Sequence, residues 1–191
     1  MSTTSVPATT PCGGEPYVAS FRHDGLGSRI AAMIYARWLA QQLGLGFRFQ
    51  WEPVSGDPPD RSIPPASDVF AADFLQDCHC QIPSVLVAEQ WRDENLPRAA
   101  VAAALQDPTR RGFVVNVVGP QLRLDGVSPT PTELRDAWQR IGWSSRLRDL
   151  ELRAREAMPE RGVALHVRRG DIVYGATRRL NWPGKIGRAH V

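Results

Sequence analysis

The chain of 191 residues is 42% hydrophobic and 23% charged, which is typical of a folded protein and excludes a wholly disordered one. Its net charge of +3 is too small to indicate nucleic-acid binding by itself. No apolar run approaches the length of a membrane span, and residues 1–16 lack the basic start and apolar stretch of a signal peptide. We therefore predict a cytoplasmic protein, with room for one domain and part of a second, that binds no nucleic acid and does not span a membrane.

The three cysteines do not form a disulfide framework. Cys78-His79-Cys80 places possible metal ligands only one residue apart, and no second ligand pair accompanies them, which argues against a zinc site. We expect no metal, no cofactor and reduced cysteines, as in a reducing compartment.

Arginine replaces lysine almost everywhere, because 22 of the 23 basic residues are Arg and the only lysine is Lys185. This usage, with many Ala, Gly and Pro, indicates a gene rich in G and C. Residues 185–191 break the pattern and match the in-frame translation of a common sequencing-library adapter. We expect them to be a non-native tail, with native sequence ending near Gly184 and the natural protein continuing beyond it.

The first part of the chain has a βαβ pattern. After a lead-in over residues 1–16 that is rich in Ser, Thr, Pro and Gly, residues 17–21 favour a strand. Residues 30–43 contain neither Gly nor Pro and favour a helix, which the glycines within 44–46 would end. Apolar residues alternate over 47–51 as in a strand. The order predicts the first unit of a Rossmann-like domain.

Gly25-Leu26-Gly27-Ser28-Arg29 connects the first predicted strand to the helix. It is not a complete dinucleotide fingerprint, because an isoleucine stands at the third glycine position. Free backbone N–H groups at such a turn, with the positive end of the helix dipole, suit phosphate or sugar hydroxyls. A tight turn without a ligand is the alternative, and the segment alone favours it.

The pattern predicts further elements: a helix over 68–75, a strand over 82–88, a helix over 96–105, a buried strand over 113–118 and a long helix over 131–158. The long helix begins at a Thr-Pro pair, and Gly142 is where it would be interrupted. A new strand is predicted from Val163. A long helix that leads to a new strand is how a second α/β domain would begin.

Residues 162–171 read Gly-Val-Ala-Leu-His-Val-Arg-Arg-Gly-Asp. The apolar run predicts a buried strand, and open parallel sheets bind ligands at the carboxyl ends of their strands. Arg168 and Arg169 at such an end suit a phosphate, and Gly170 lets the backbone come close to it. An exposed strand end with ordinary surface arginines explains this segment equally well by itself.

The two motifs together resemble the GT-B fucosyltransferase superfamily, which contains α1,2-, α1,6- and protein O-fucosyltransferases. Its members typically carry Gly-x-Gly-Asn-Arg/Gln near the start and His-x-Arg-Arg where the donor domain opens. The resemblance implies an α/β fold with a Rossmann-like, acceptor-side domain over residues 17–160. It also implies the start of a donor-binding domain over 161–184, so that the second domain is only begun.

The resemblance further implies transfer of fucose from GDP-fucose to a glycan hydroxyl without a metal. Arg168 and Arg169 match the arginines that hold the donor diphosphate, where fixed guanidinium groups stabilise the negative charge that grows on GDP. They are the candidate catalytic residues. The candidate substrate-binding residues are His166, Asp171, Gly25, Gly27 and Arg29.

One residue departs from the superfamily's pattern, and one catalytic role is left unassigned. Ser28 stands where its members commonly have Asn, and no general base is assigned, because His23 and Asp24 are also explained as structural or exposed residues. A fragment with only the start of the donor domain would be inactive. The alternative hypothesis is a non-enzymatic α/β module that binds an anion or a glycan with the same arginines.

Overall fold

A computed structural model describes residues 14–54, 63–107, 111–116 and 122–157. These residues form a mixed α/β structure with a small parallel sheet. The elements in chain order are β1 (Tyr17–Phe21), α1 (Leu26–Leu43), β2 (Gly46–Gln50), α2 (Ala66–Val69), α3 (Ala72–Cys78), α4 (Ser84–Ala88), β3 (Asn95–Leu96), α5 (Arg98–Leu105), β4 (Gly112–Val115), β5 (Arg123–Leu124), α6 (Pro131–Gln139) and α7 (Ser145–Ala157).

β1 is the central strand of a parallel sheet in the order β2-β1-β4. Every residue of β1 is buried, as expected for a parallel strand with structure packed on both faces. Val18 belongs to the larger core cluster together with residues of α1, whereas Ala19 and Phe21 belong to a smaller one with Leu86 of α4. A separate parallel pair joins β3 to β5.

α1 confirms the predicted βαβ unit but starts earlier than the sequence indicates. The helix begins at Leu26, so most of the glycine-rich segment forms its first turn rather than a loop. It ends at Gly44, which has φ +65° and donates its N–H to the carbonyl of Gln41. α1 packs against β1, β2 and α6, and eight of its residues are buried: Arg29, Ala32, Met33, Tyr35, Ala36, Trp38, Leu39 and Ala40.

Aromatic side chains fill the space between the sheet and the later helices. Phe49 of β2 lies with its ring centroid 5.0 Å from Phe70 and 5.6 Å from Phe74. Phe70 in turn stacks at 5.9 Å on Trp143, which precedes α7. Aromatic pairs of this kind contribute about 0.5–1.5 kcal/mol each beyond the area that they bury. They hold β2, α3 and the α6–α7 connection in one core.

Two predicted elements are corrected by the structure. The strand predicted over 82–88 is wrong, because residues 84–88 form α4 with Pro83 as its N-cap. The β-branched Val85 and Val87 favoured a strand, but only Leu86 of α4 is buried, and five residues are too few to show a helical period. The helix predicted over 68–75 is divided into α2 and α3 around Phe70, which is extended.

The interruption predicted at Gly142 is confirmed, and it has a packing cause. A Cβ at Gly142 would lie 2.4 Å from the Cβ of Phe74, and the Gly142 carbonyl accepts a hydrogen bond from the N–H of Ala71. α6 therefore ends before this contact and α7 starts after it. No residue of α7 is buried.

The cysteines differ from the expectation. Cys78 is a free thiol, whereas Cys80 is disulfide-bonded, so the prediction of reduced cysteines is wrong at Cys80. The cytoplasmic location stays a prediction. None of the helices in the described ranges is long and apolar enough to cross a bilayer. The strand predicted from Val163 and the tail over 185–191 lie outside the described residues.

The contact between Gly112 and Tyr17 gives a test of the sheet. A Cβ at Gly112 would lie 2.4 Å from the ring of Tyr17, which is only 2% exposed and has little room to move. We expect Gly112→Ala to lower the free energy of unfolding by about 1–3 kcal/mol, as overpacking does. Gly27→Ala is the matched control, because a Cβ there meets nothing within 4 Å. Equal free energies of unfolding for the two variants in urea would contradict this packing.

Candidate functional site

The carboxyl ends of β1 and β4 form a cleft. From β1 the chain passes through α1 to β2 on one side of β1, and β4 later pairs with β1 on its other side. Open α/β sheets bind ligands where the strand order reverses in this way. The cavity at this point has a volume of about 330 Å³, and we call it the strand-end cleft. It is lined by Phe21, Arg22, His23, Asp24, Val87, Gln90, Arg92 and Asn116.

Arg22 joins the two strand ends. Its Nε lies 2.9 Å from Oδ1 of Asp24, and its Nη1 donates to Oδ1 of Asn116 at 2.6 Å and to the Asn116 carbonyl at 3.0 Å. Nη2 also donates to the Asp24 carboxylate. All three nitrogens of the guanidinium group are therefore engaged within the protein, and Arg22 shapes the cleft rather than offering a free cation.

Asp24 provides a charged acceptor in the cleft. Partial burial acts to raise its pKa, but the hydrogen bonds and charge of Arg22, with a hydrogen bond from Ser28, hold the pKa of Asp24 below its ordinary value. The carboxylate therefore stays ionised well into the acidic range. It accepts hydrogen bonds, so a ligand hydroxyl can donate one to it.

Two further side chains leave polar groups for a ligand. Oε1 of Gln90 is buried in the cleft wall and has no hydrogen-bond partner, and such an unsatisfied acceptor costs about 1–3 kcal/mol. The guanidinium group of Arg92 makes no hydrogen bond or ion pair with any described residue. A ligand that both donates and accepts hydrogen bonds would satisfy the two together.

His23 is held in place at the rim of the cleft. Its Nδ1 lies 3.3 Å from Oε2 of Glu52, and its ring meets the ring of Phe21 edge to face at 4.4 Å between centroids. Oε1 of Glu52 accepts a hydrogen bond from Nε2 of Gln50 at 2.7 Å. Oε1 of Gln50 accepts one from the N–H of Ile82 at 2.8 Å, so the chain of contacts ends on backbone.

A second cavity of about 450 Å³ continues the cleft toward the end of β2. The two cavities share Phe21 and Val87, which form an apolar floor between them. The second cavity is also lined by Gln50, Gln81, Ile82, Pro83 and Ser84. Together they make a groove with an apolar floor and polar sides along one edge of the sheet.

The predicted glycines lie next to this groove, and the fold itself does not require them. Gly25 has φ −60°, which any residue adopts, and a Cβ at Gly25 or Gly27 would meet nothing within 4 Å. No side chain caps the start of α1, so N–H groups of its first turn stay open. The fold therefore does not explain why glycine stands at these two positions. A ligand that comes close to the backbone there would explain it.

Arg29 has contacts that point to a positioning role. It is 3% exposed, its Nε donates to the Asp24 carbonyl at 2.7 Å, and its Nη1 donates to the Glu52 carbonyl at 2.6 Å. The guanidinium group lies 5.4 Å from the ring centroid of Trp51, and burial lowers its pKa although Asp24 and Glu52 act to raise it. Nη2 has no partner. Arg29 does not line the cleft; it fixes the backbone of Asp24, which does, and that of Glu52, which contacts His23.

The other predicted site residues lie outside the described ranges: His166, Arg168, Arg169 and Asp171. Sequence reasoning missed four residues of the cleft region: Glu52, Gln90, Arg92 and Asn116. Asn116 lies inside the strand predicted over 113–118, whereas β4 ends at Val115, so the strand-end rule applied to the predicted bounds would have passed over it. Gln90 and Arg92 lie in a segment without a periodic pattern, and no sequence signal distinguishes them.

No protein-family model, no curated protein and no solved structure matches the chain.

The ionised state of Asp24 predicts an acid-dependent loss of stability. Because its pKa is lowered in the folded state, its stabilising contribution is present above its ordinary pKa of 3.8 and is lost as the pH falls through the folded value. We expect Asp24→Asn to be less stable than the wild type at pH 7 by under about 1 kcal/mol, since the carboxylate is 39% exposed and screened.

Urea unfolding at pH 7 and near pH 2.5 measures this effect. The difference between wild type and Asp24→Asn should shrink at the lower pH, whereas the exposed control Asp149→Asn should show no such change. Parallel pH dependence in wild type and Asp24→Asn would show that the Arg22–Asp24 contact does not hold the carboxylate ionised.

Proposed function

We propose that the described residues belong to the Rossmann-like, acceptor-side domain of a GT-B glycosyltransferase that transfers fucose from GDP-fucose to a glycan hydroxyl. The observation that carries this proposal is the strand-end cleft, with its ionised carboxylate, unsatisfied amide oxygen and open guanidinium group. These groups lie where a parallel sheet binds its ligands.

The chemistry of the cleft suits a sugar better than a phosphate. Sugar hydroxyls both donate and accept hydrogen bonds, so they can satisfy Gln90 and Asp24 as donors and Arg92 as acceptors. Phe21 and Val87 offer an apolar floor to the C–H face of a sugar ring. The cleft therefore fits the glycan acceptor, and the donor would be held elsewhere.

The donor would be held by the His-Val-Arg-Arg-Gly-Asp segment. In the transfer, the bond from the anomeric carbon of fucose to the phosphate oxygen breaks, and negative charge grows on the leaving GDP. Arg168 and Arg169 would stabilise that charge, with His166 and Asp171 beside them in the donor pocket. Gly25 and Gly27 would let the donor or the acceptor approach the start of α1.

Turnover of GDP-fucose tests this proposal in a full-length protein that includes a complete donor domain. We expect Arg168→Ala to reduce the release of GDP and the formation of fucosylated glycan by about 10²–10³-fold, because one charge-stabilising donor is lost. Arg153→Ala on α7 is the matched control and should have no effect, since among the described residues the Arg153 side chain donates only to the Asp149 carbonyl. Equal turnover in both variants would contradict the assigned donor site.

Gly27→Leu tests the acceptor side by separating stability from function. A side chain at Gly27 meets open space and improves helix propensity, so we expect the free energy of unfolding to rise by about 0.5–1 kcal/mol. Saccharide binding and transfer should fall because the side chain occupies the approach to α1. Unchanged saccharide binding in this stabilised variant would show that no ligand approaches there.

A groove between α6 and α7 favours the second candidate function, binding of an anionic glycan without catalysis. This α6–α7 groove has a volume of about 680 Å³, and the rings of Trp138 and Trp143 lie 4.7 Å apart in it. Arg135 and Arg148 line it, and their guanidinium groups have no partner among the described residues. The exposed indole of Trp138 and the free guanidinium groups suit a sugar ring that carries sulfate or carboxylate groups.

Tryptophan fluorescence with a sulfated disaccharide tests this second candidate. We expect binding that weakens with salt and that falls about tenfold or more in Arg135→Gln/Arg148→Gln, because charge-assisted hydrogen bonds contribute about 1.5–3 kcal/mol each. The unsulfated disaccharide should bind more weakly, and Arg153→Gln should bind as the wild type does. Equal affinity for both disaccharides would rule out anion recognition in the α6–α7 groove.

A further inference from the structure

We propose that His23, oriented by Glu52, accepts the proton of the attacking glycan hydroxyl in the strand-end cleft, an assignment that rests on the proposed transfer reaction. The observation behind it is the contact between Nδ1 of His23 and Oε2 of Glu52 at 3.3 Å. A base whose position is fixed by a third group is the arrangement on which proton-transfer sites generally depend.

Glu52 is fixed on both its backbone and its side chain. Its carbonyl oxygen accepts from Nη1 of Arg29 at 2.6 Å, and its Oε1 accepts from Nε2 of Gln50 at 2.7 Å. Gln50 is itself held by the N–H of Ile82. Oε2 of Glu52 is therefore left to face His23, with little freedom to turn away from it.

We expect this contact to favour one tautomer of neutral His23. A carboxylate only accepts hydrogen bonds, so a neutral ring that donates to Oε2 carries its proton on Nδ1 and keeps the lone pair on Nε2. Nε2 lies on the opposite side of the ring from Glu52, and the side chain is 65% exposed at the rim of the cleft. A hydroxyl bound in the cleft can therefore donate its hydrogen bond to Nε2.

The charged groups around His23 suit the role. The carboxylate of Glu52 lies beside the ring that would take up the proton on Nε2. Arg22 is neutralised by Asp24, which leaves Arg92 as the other cation that lines the cleft among the described residues. Asp24 is the weaker candidate for a base, because its lowered pKa makes it a poor proton acceptor.

The transfer of fucose to the glycan hydroxyl needs no further reactant. The hydroxyl proton passes to Nε2 of His23 while the oxygen lone pair forms a bond to the anomeric carbon of fucose. The bond from that carbon to the phosphate oxygen breaks, and its electron pair leaves with GDP. The products are the fucosylated glycan, GDP and an imidazolium, which then returns its proton to solvent.

NMR of the ¹⁵N-labelled chain near pH 8 measures the tautomer directly. We expect the two-bond ¹H–¹⁵N pattern of His23, identified by its absence in His23→Gln, to be that of the Nδ1–H form. Glu52→Ala should shift it toward the Nε2–H form, and Glu156→Ala on the exposed face of α7 should leave it unchanged. An Nε2–H tautomer in the wild type would overturn the inference whatever the protein's function.

Addition of lactose or chitobiose then separates this inference from the proposed function. We expect the Nε2 resonance of His23 to move along with the side-chain amide signals of Gln90 and Asn116. Movement of those amides without any change at His23 overturns the assignment of the base and leaves a glycan site standing. No saccharide response at any of the three residues overturns the proposed function and this inference with it.

A turnover measurement distinguishes a catalytic role of His23 from a purely structural one. In a full-length protein that includes a complete donor domain, we expect His23→Gln to lower kcat for fucose transfer by about 10²–10⁴-fold, the usual contribution of a general base, with a much smaller change in KM for the saccharide. A change in KM alone would show that His23 binds the glycan but does not take its proton.

Discussion

The strand-end cleft depends on one buried cation, the guanidinium group of Arg29. It donates to the carbonyl oxygens of Asp24 and Glu52, which belong to different segments, and it lies over the ring of Trp51. Burying such a charge is costly unless its donors are paired, and Nη2 has no partner. This unfavourable burial occurs at the point where the carboxyl ends of β1 and β2 are held together. An arginine fits because its planar fork reaches two acceptors at once.

Both polar clusters of the cleft follow from that anchor. Asp24, fixed through its backbone, engages Arg22, which reaches across to Asn116 after β4. Glu52, fixed in the same way, engages His23. Each cluster therefore combines a backbone position set by Arg29 with a side-chain contact to another strand end. In the proposed reaction these clusters have separate tasks: the first shapes the acceptor pocket and the second receives a proton.

Local patterns predicted the βαβ unit well, because its strands and its long helix carry strong periodic signals and its helix ends in a glycine with positive φ. Contacts between distant residues escaped prediction. Glu52 meets His23 from 29 positions away, and nothing in either neighbourhood marks the pair. Arg29 was selected from its motif as a ligand residue, yet its partners are backbone carbonyls. The short helix α4 was missed for a different reason, since a Val-Leu-Val run favours a strand and only tertiary packing decides otherwise.

α7 has a consequence for the order in which the fold loses structure. Its N-terminal end is anchored by Ser144, whose hydroxyl donates to the Asp68 carbonyl and accepts from the N–H of Leu147. Beyond this cap no side chain of the helix is buried, and the Arg155–Glu151 pair contributes only about 0.3–0.5 kcal/mol. α7 should therefore fray from its C-terminal end in local openings that leave the sheet intact, with fast amide exchange there and slow exchange in β1.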